Sequence, residues 1–350
     1  MRAPLFLVNL SALFFNILKM SDVKVYYDDE ADLSALEGKK IAVIGYGAQG
    51  RAQARMMHES GLNVVVGARE TGKSWGQIEE DGLARASIAE AAKQADIIHI
   101  LLPDEVQKAV YEADIAPNIE TGNILGFSHG FCIVYGRIVP PEGLGVIMVA
   151  PKSPGTEEYK CYKEGFGVPA LLAVEKDTAE GTAKAIALGM AKAMNFTKAG
   201  VLECTFKQET FEDLFGEQAI LCGGVTELMK TGFEVLIEAG YPPELAYFEC
   251  LHEMKLIIDL VQEGGLERMW EIVSNTAEYG GHTRGKRIIT PETKEVMRQM
   301  LKEVEDGTFA KEWIDEADNN KMAKLLEMRK KEGEHPIEIV GRKIRGMFKK

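Results

Sequence analysis

The sequence predicts two domains, an α/β domain with a mainly parallel sheet followed by an all-helical domain. The chain of 350 residues is long enough to bury two separate cores. Short, nearly continuous apolar runs recur through residues 21–203, as in strands that are covered on both faces. Across residues 204–350 no strand pattern appears, and apolar residues recur at helical spacing instead. These observations place the domain boundary near residue 204.

Composition and charge limit the partners. The chain is 46% hydrophobic and 27% charged, which is typical of a globular protein. Its net charge of -13 argues against nucleic acid or a membrane surface as the main partner. The five cysteines are an odd number without a CxxC pair, so we expect reduced thiols in a cytoplasmic protein rather than disulfides or a zinc ribbon.

Residues 1–20 depart from this composition. Arg2 and the apolar residues 5–18 resemble the start of a signal peptide, and secretion or membrane anchoring is therefore one reading. No small-residue cleavage site follows, and the run is too short for a transmembrane helix. We favour an over-long start, with Met20 as the natural initiator.

The first strong motif is a glycine-rich turn between a strand and a helix. An apolar run at residues 40–44 precedes the turn, and a helical pattern continues to His58. In this context the glycines let backbone N–H groups approach a pyrophosphate at the positive end of the helix. The sequence therefore predicts a Rossmann dinucleotide-binding domain, with cofactor contacts at Gly45, Tyr46, Gly47, Ala48, Gln49 and Gly50.

The segment after the next predicted strand, residues 63–67, bears on the choice of cofactor. A site specific for NADH favours an acid at this strand end, to hold the ribose hydroxyl. Cationic and hydroxyl side chains can instead hold the 2′-phosphate of NADPH, whereas Glu70 would favour NADH. We expect NADPH, with NADH as the alternative, and cofactor contacts at Arg69, Gly72, Lys73 and Ser74.

Further strands are predicted at residues 97–102, 124–128, 145–149 and 170–174. Ligands of such sheets bind beyond the carboxyl ends of the strands. His129 and Lys152 follow two of these ends and are expected to face the cofactor cleft, although each could be an ordinary packing or solvated residue. Additional cofactor contacts are predicted at Asp104, Glu105, Val106, Gln107 and Gly155.

Two pairs of acids mark the helical half. Asp213 with Glu217, and Glu249 with Glu253, are each four residues apart, so on a helix each pair shares one face. Each pair taken alone reads most simply as a solvated helix face. Brought together by helix packing, the four carboxylates would suit one or two hard divalent cations such as Mg²⁺.

Read together, the motifs resemble the ketol-acid reductoisomerase family, in its short, class I form. The resemblance covers residues 24–345 in order. Besides the glycine-rich turn, the matching segments are 128–131, 148–155, 165–170, 213–218, 249–253 and 274–280. Thr156 replaces a histidine that is usual in the family, and Cys132-Ile133 replace an Asn-His pair.

The resemblance implies specific roles for the matching residues. Two Mg²⁺ ions would be bridged by Asp213, with Glu217 at one ion and Glu249 and Glu253, from the partner subunit, at the other. Ser274 would bind the substrate carboxylate, and His129 and Lys152 would be catalytic. The family's helical half is knotted, an exception to the usual rule, and the enzyme is a homodimer or a larger homo-oligomer.

The implied reaction is a Mg²⁺-dependent alkyl shift followed by reduction with NADPH. It converts 2-acetolactate to 2,3-dihydroxyisovalerate, and 2-aceto-2-hydroxybutyrate to 2,3-dihydroxy-3-methylvalerate, in branched-chain amino acid synthesis. We expect Glu253 to serve also as a catalytic proton relay, because its apolar sequence surroundings would raise its pKa. The alternatives are a metal-free β-hydroxyacid dehydrogenase, which leaves the acid pairs unexplained, and a non-catalytic dinucleotide sensor.

Overall fold

The computed structural model describes residues 23–348, so the predicted extension at residues 1–20 lies outside the described part. The chain divides into two compact units, one ending at Thr210 and the other beginning at Phe211. In residues 23–348 we find no helix with the length and apolar character needed to cross a membrane.

One nine-stranded sheet organises the first unit, in the order β1-β9-β8-β7-β6-β5-β2-β3-β4. Strands β1 to β9 are Val25–Tyr26, Lys40–Ile44, Asn63–Gly67, Ala84–Ala86, Ile97–Ile100, Ile124–Phe127, Gly145–Pro151, Ala170–Lys176 and Val201–Glu203. Six of the eight strand pairs are parallel, so the predicted parallel-rich sheet is confirmed. The other two pairs, β1 with β9 and β7 with β8, are antiparallel.

Helices cover the sheet. Within the first unit helices α1 to α8 are Ala48–Glu59, Ser74–Glu80, Ile88–Lys93, Asp104–Val110, Phe131–Val134, Gly155–Lys163, Ala183–Ala193 and Phe196–Ala199. A π-helical turn, Tyr111–Ile115, extends α4. The central strands β2, β5 and β6 are buried almost throughout, as expected for strands with helices on both faces.

The strand order explains where a ligand can bind. Strand β2 has β3 as its parallel neighbour on one side and β5 on the other. The chain therefore leaves β2 in one direction and later returns on its other side, which makes the end of β2 a topological switch point. The glycine-rich turn follows β2 directly, so it lies where such sheets open a ligand crevice.

Helices make up the second unit. Helix α9, Phe206–Gly216, carries the chain from the first unit into the second. Helices α10 to α17 are Gly223–Glu238, Pro243–Tyr247, Met254–Ile272, Asn275–Ile288, Pro291–Glu305, Thr308–Asp318, Ala323–Glu334 and Pro336–Met347. Helix α12 is kinked at Gly264 and Gly265, whose backbone angles are not helical. The all-helical second half is thus confirmed, whereas the knot stays a prediction.

Candidate active site

The glycine-rich turn has the geometry that dinucleotide phosphates require. Gly45 has a φ of 101°, and a side chain there would meet the Leu101 carbonyl at 2.7 Å. A Cβ on Gly50 would lie 2.3 Å from the carbonyl oxygen of Gly45, so helix α1 packs closely on this turn. Gly47, by contrast, has open space where a side chain would project. The turn is therefore closed on the protein side and open where a ligand can approach.

A cavity of about 520 Å³ opens beside this turn. Its lining comes from the turn, from α1, from the start of α2 and from the start of α6: Tyr46, Gly47, Ala48, Arg51, Ala52, Arg55, Lys73, Ser74, Gln77, Gly155, Thr156 and Tyr159. Six of these residues were predicted as cofactor contacts. The N-terminal ends of α1 and α6 both reach the cavity, and each carries the partial positive charge of a helix dipole.

The loop between β3 and α2 contributes to the same cavity. Lys73 and Ser74 line it, whereas Arg69 and Glu70 are exposed on the loop and are not among the lining residues. Gly72 donates its N–H to the Arg69 carbonyl at 2.8 Å, and a side chain at Gly72 would meet that oxygen at 2.9 Å. The tight turn therefore explains the glycine at this position.

The segment that begins α4 is arranged around a buried amide. The Gln107 side chain donates to the Leu102 carbonyl at 2.8 Å and to Asp104 at 3.1 Å. Gln107 is 4% exposed and Val106 39% exposed. Gln107 thus braces the loop after β5, and Val106 presents its side chain outward.

His129 is held by a carboxylate that sequence reasoning missed. The Nδ1 atom of His129 lies 3.1 Å from Oε1 of Glu209, and the Gly130 N–H donates to Oε2 at 3.0 Å. The Glu209 side chain is 2% exposed, whereas that of His129 is 22% exposed. An Nδ1–H that donates to Glu209 leaves Nε2 as the ring atom able to accept a proton. A signal was present, because Glu209, Asp213 and Glu217 are spaced by four residues.

A buried polar network lies beneath the glycine-rich turn. The Gln53 amide oxygen is 2.7 Å from Nε2 of His99, and its amide nitrogen donates to Ser128 and to Gln49. Burial lowers the pKa of His99 to about 4, so this histidine is neutral. Gln49 in turn donates to the Ser153 carbonyl at 3.0 Å. The network joins the ends of three strands to helix α1.

Glu158 on α6 is a buried acid near this network. It is 1% exposed, and neither carboxyl oxygen has a hydrogen-bond partner among residues 23–348. Burial raises the pKa of Glu158 to about 8, and the nearby Gln49 amide offsets this only in part. The side chain is therefore largely protonated at neutral pH.

Lys152 and Gly155 follow strand β7. The Lys152 N–H donates to the Pro169 carbonyl at 2.9 Å, and its side chain is exposed. A Cβ on Gly155 would lie 2.4 Å from the Ala48 carbonyl, so only glycine lets α6 begin this close to the turn. Gly155 also lines the cavity.

The acids of the second unit stand at two irregular helical turns. Glu217 begins a π-helical turn, Glu217–Leu221, and Asp213 precedes it on α9. A second π-helical turn, Phe248–His252, contains Glu249, and Glu253 follows directly. Single π turns within helices occur frequently at functional sites.

The four acids do not form one cluster in a single chain. Over the described residues, no three of Asp213, Glu217, Glu249 and Glu253 come within ligand distance of one another. Glu217, Glu249 and Glu253 are exposed, and so is Leu256 beside the second pair. The origin of the second pair in a partner subunit stays a prediction.

Ser274 is the N-cap of helix α13. Its hydroxyl oxygen accepts the Ala277 N–H at 3.2 Å. That bond uses the oxygen as an acceptor and leaves the hydroxyl proton to be donated, at a helix end that favours anions. The position is therefore chemically suited to a carboxylate ligand.

Comparison with known proteins covers nearly the whole described chain. Residues 35–200 match the family described as acetohydroxy acid isomeroreductase, NADPH-binding domain, and residues 206–350 match the ketol-acid reductoisomerase C-terminal domain. A ketol-acid reductoisomerase (NAD(+)) from an uncultured archaeon is 57% identical over 93% of this chain and 99% of that protein. A ketol-acid reductoisomerase (NADP(+)) from Methanocaldococcus jannaschii is 56% identical over 93% of this chain and 98% of that protein.

A solved structure agrees with these matches. The NADH-preferring ketol-acid reductoisomerase from an uncultured archean superposes with a TM-score of 0.91 at 56% identity, covering 93% of this chain and all of that one. The glycine-rich turn, the mainly parallel sheet and the helical second half thus occur in one known arrangement. The chain belongs to the ketol-acid reductoisomerase family and is an NAD(P)-dependent oxidoreductase of branched-chain amino acid synthesis.

Proposed function

We propose that this enzyme converts 2-acetolactate to 2,3-dihydroxyisovalerate, and 2-aceto-2-hydroxybutyrate to 2,3-dihydroxy-3-methylvalerate, with Mg²⁺ and NADPH. The observation that carries the proposal is the His129–Glu209 pair at the carboxyl edge of the sheet. Glu209 lies on helix α9, and Asp213 follows it on that helix one turn later. The carboxylate that holds the proton-transfer group and a proposed metal-ligating acid thus lie one turn apart on one helix.

The donor set fits Mg²⁺. Asp213, Glu217, Glu249 and Glu253 offer carboxylate oxygens only, which are the ligands that this hard cation prefers. Mg²⁺ held there would supply Lewis acidity toward the hydroxyl and ketone oxygens of the substrate. No sulfur or imidazole ligand, which would favour a softer metal, belongs to the set.

The chain's own residues would orient the substrate and move protons. The Ser274 hydroxyl would donate to the substrate carboxylate, and the exposed Lys152 ammonium would add positive charge near developing negative charge. His129, with Nδ1 fixed on Glu209, would exchange a proton at Nε2. A reduced nicotinamide dinucleotide bound beside the glycine-rich turn would supply hydride chemistry.

Glu253 is proposed as a further proton relay during the alkyl shift. If that role is specific, Glu253→Gln should slow isomerisation more than it slows reduction of an already rearranged keto acid. An equal loss of rate in isomerisation and in reduction would refute the relay role of Glu253.

NADPH is the proposed cofactor because Lys73 and Ser74 line the cavity and an acid does not. Two relatives are named for NAD(+) or NADH and one for NADP(+), so the family uses both. We also propose a homodimer or larger homo-oligomer acting on small molecules, without nucleic acid or membrane partners. The five free cysteines support a reducing, cytoplasmic compartment.

The direct test is a 2-acetolactate assay with and without Mg²⁺, run in parallel with NADPH and NADH. We expect turnover only with Mg²⁺ and a higher kcat/KM with NADPH. Turnover without any divalent cation would refute the metal assignment, and a higher kcat/KM with NADH would refute only the cofactor preference. Chelation followed by Mg²⁺ re-addition is the control for irreversible damage.

A further inference from the structure

Two arginines on helix α1 face the cavity beside the glycine-rich turn. Arg51 and Arg55 are four residues apart and therefore project from one side of α1. With Lys73 they give the cavity three cationic side chains, and none of its lining residues is an acid. This charge distribution suits an anionic ligand with more than one negative charge.

Arg51 is fixed in a geometry that leaves part of its guanidinium available. Its Nε and Nη2 atoms donate to the two oxygens of Asp81 at 2.7 and 2.9 Å. The Tyr46 hydroxyl donates to the same carboxylate at 2.8 Å. The Asp81 side chain is 9% exposed, whereas that of Arg51 is 42% exposed. The Asp81 carboxylate thus orients the Arg51 guanidinium through Nε and Nη2, and these bonds do not use Nη1.

Arg55 is fixed by an aromatic ring of helix α6. Its guanidinium carbon lies 3.8 Å from the centroid of the Tyr159 ring, and Nη2 donates to the Tyr159 hydroxyl at 2.6 Å. The Tyr159 hydroxyl in turn donates to Glu59 at 2.5 Å. Both arginines are therefore ordered before any ligand arrives, which lowers the entropic cost of binding.

We propose that Arg51 and Arg55 are a phosphate-binding pair of the cofactor site, with Asp81 and Tyr159 as their positioning residues. The inference rests on the proposed use of a nicotinamide dinucleotide. A planar guanidinium that is already oriented recognises phosphate oxygens by charge-assisted, often bidentate hydrogen bonds. The phosphate is either the 2′-phosphate, which NADPH alone carries, or the pyrophosphate, which NADPH and NADH share.

The test is direct titration of the full-length protein with NADPH and with NADH, by calorimetry or by nicotinamide fluorescence. Arg51→Gln and Arg55→Gln are each expected to weaken NADPH binding about tenfold to a hundredfold, as the loss of a charge-assisted hydrogen bond implies. A loss confined to NADPH assigns the 2′-phosphate, and an equal loss with NADH assigns the pyrophosphate. Unchanged affinity for both cofactors in both variants would overturn the proposal.

Controls distinguish a failure of this inference from a failure of the dinucleotide-binding assignment on which it rests. Lys93→Gln removes an exposed positive charge from helix α3 of the same unit and should bind both cofactors like the parent protein. If the parent protein itself binds neither cofactor, the dinucleotide assignment fails and this inference fails with it. Should Arg51→Gln not fold, Arg55→Gln and the charge-conserving Arg51→Lys still decide the question.

The positioning role of Asp81 has its own readout. Asp81→Asn should raise the KM for the cofactor about tenfold while kcat stays near the parent value, and Asp81→Glu should restore much of the KM. An unchanged KM in a folded Asp81→Asn protein would show that Arg51 does not need its partner. Asp81 is the C-cap of helix α2, and Glu79 lies in the last turn of that helix. Glu79→Gln, which removes the exposed acid of the Arg85–Glu79 ion pair, is the matched control.

Discussion

The two units of the chain differ in how completely each buries its apolar side chains. In the first, strands and helices enclose a continuous core in which Val43, Val66 and Ile97 are inaccessible to solvent. In the second, one cluster of buried residues consists of five side chains: Phe233, Ala246, Tyr247, Ile337 and Ile344. Of the exposed large apolar side chains in residues 23–348, all but five lie in the second unit.

The difference shows that the second unit has apolar surface left to bury. Val235 on α10, Leu245 on α11 and Leu256 on α12 are each more than half exposed. Exposed apolar side chains in such number are often buried in a subunit interface. The homo-oligomer proposed above would cover these side chains with a second copy of the chain. On this proposal the cofactor cavity lies within the first unit, whereas the two acid pairs would come together only across two subunits.

The largest effect is expected from a charge placed on the exposed apolar face. Val235→Glu would bury two carboxylates in a symmetric interface, which costs about 3 to 5 kcal/mol and weakens the dimer at least a hundredfold. Sedimentation velocity should show monomers, and both activity and tight Mg²⁺ binding should be lost. A fully metal-loaded, active monomer would refute the shared site.

The matched control makes the same substitution in the other unit. Val139 is 75% exposed, and Val139→Glu should leave the oligomer and the activity unchanged. If both substitutions dissociate the oligomer, the contrast between the two units is wrong.

The next effect concerns the acid pair nearest the first unit in sequence. Asp213→Asn removes one negative charge from the proposed bridging ligand, so isomerisation of 2-acetolactate should fall at least about a hundredfold. Binding of NADPH should be unchanged, because the cavity beside the glycine-rich turn lies in the first unit. Retention of substantial Mg²⁺-dependent isomerisation would contradict the bridging role, and Mg²⁺ titration by calorimetry gives an independent readout.

A smaller effect is expected when the histidine loses its charged partner. Glu209→Gln keeps the shape but not the charge that orients Nδ1–H of His129, so kcat should fall about tenfold to a hundredfold. The KM for NADPH should stay constant, and the pH profile of kcat should shift. The comparison is with Glu227→Gln, an exposed acid on α10 that pairs with Lys230. An unaltered pH profile would mean that Glu209 only supports the fold.

The sequence was sufficient for features that depend on local patterns. The glycine-rich turn, six of the nine strands and the helical second half follow from glycine spacing and apolar periodicity. The strands Val25–Tyr26, Ala84–Ala86 and Val201–Glu203 are too short to show a period. The three π-helical turns leave no signature either, since they change only which carbonyl each N–H reaches.

Features that depend on packing could not be predicted in the same way. Glu209 reads as one more acid on a helix until the fold brings it to His129, 80 residues away in sequence. Nothing in the local sequence distinguishes Arg51 and Arg55 until the fold places Asp81 and Tyr159 beside them. The four-residue spacing from Asp213 places Glu209 on the same helix face, but only the long-range contact with His129 gives it a role.

Glu158 is an exception in the well-packed first unit, because its buried carboxyl oxygens have no hydrogen-bond partner among residues 23–348. Of the substitutions considered, its replacement has the smallest expected effect on catalysis. The pKa of this carboxyl is raised from 4.5 to about 8 in the folded chain. Between these values the unfolded chain is ionised while the folded chain keeps the proton, so stability falls as the pH rises from 4.5 toward 8. At pH 7 the resulting cost is about 3 kcal/mol, taking about 1.4 kcal/mol per pH unit.

Glu158→Gln removes that ionisation and should therefore raise the free energy of unfolding near pH 7, by up to about 3 kcal/mol, with little change at pH 4.5. Urea denaturation at several pH values measures this change in the free energy of unfolding. Glu157→Gln, at an exposed neighbour on α6, serves as the control. The gain should grow with pH and level off above about pH 8, because the folded carboxyl then ionises as well. A gain that is independent of pH would mean that the substitution acts through packing rather than through the buried charge.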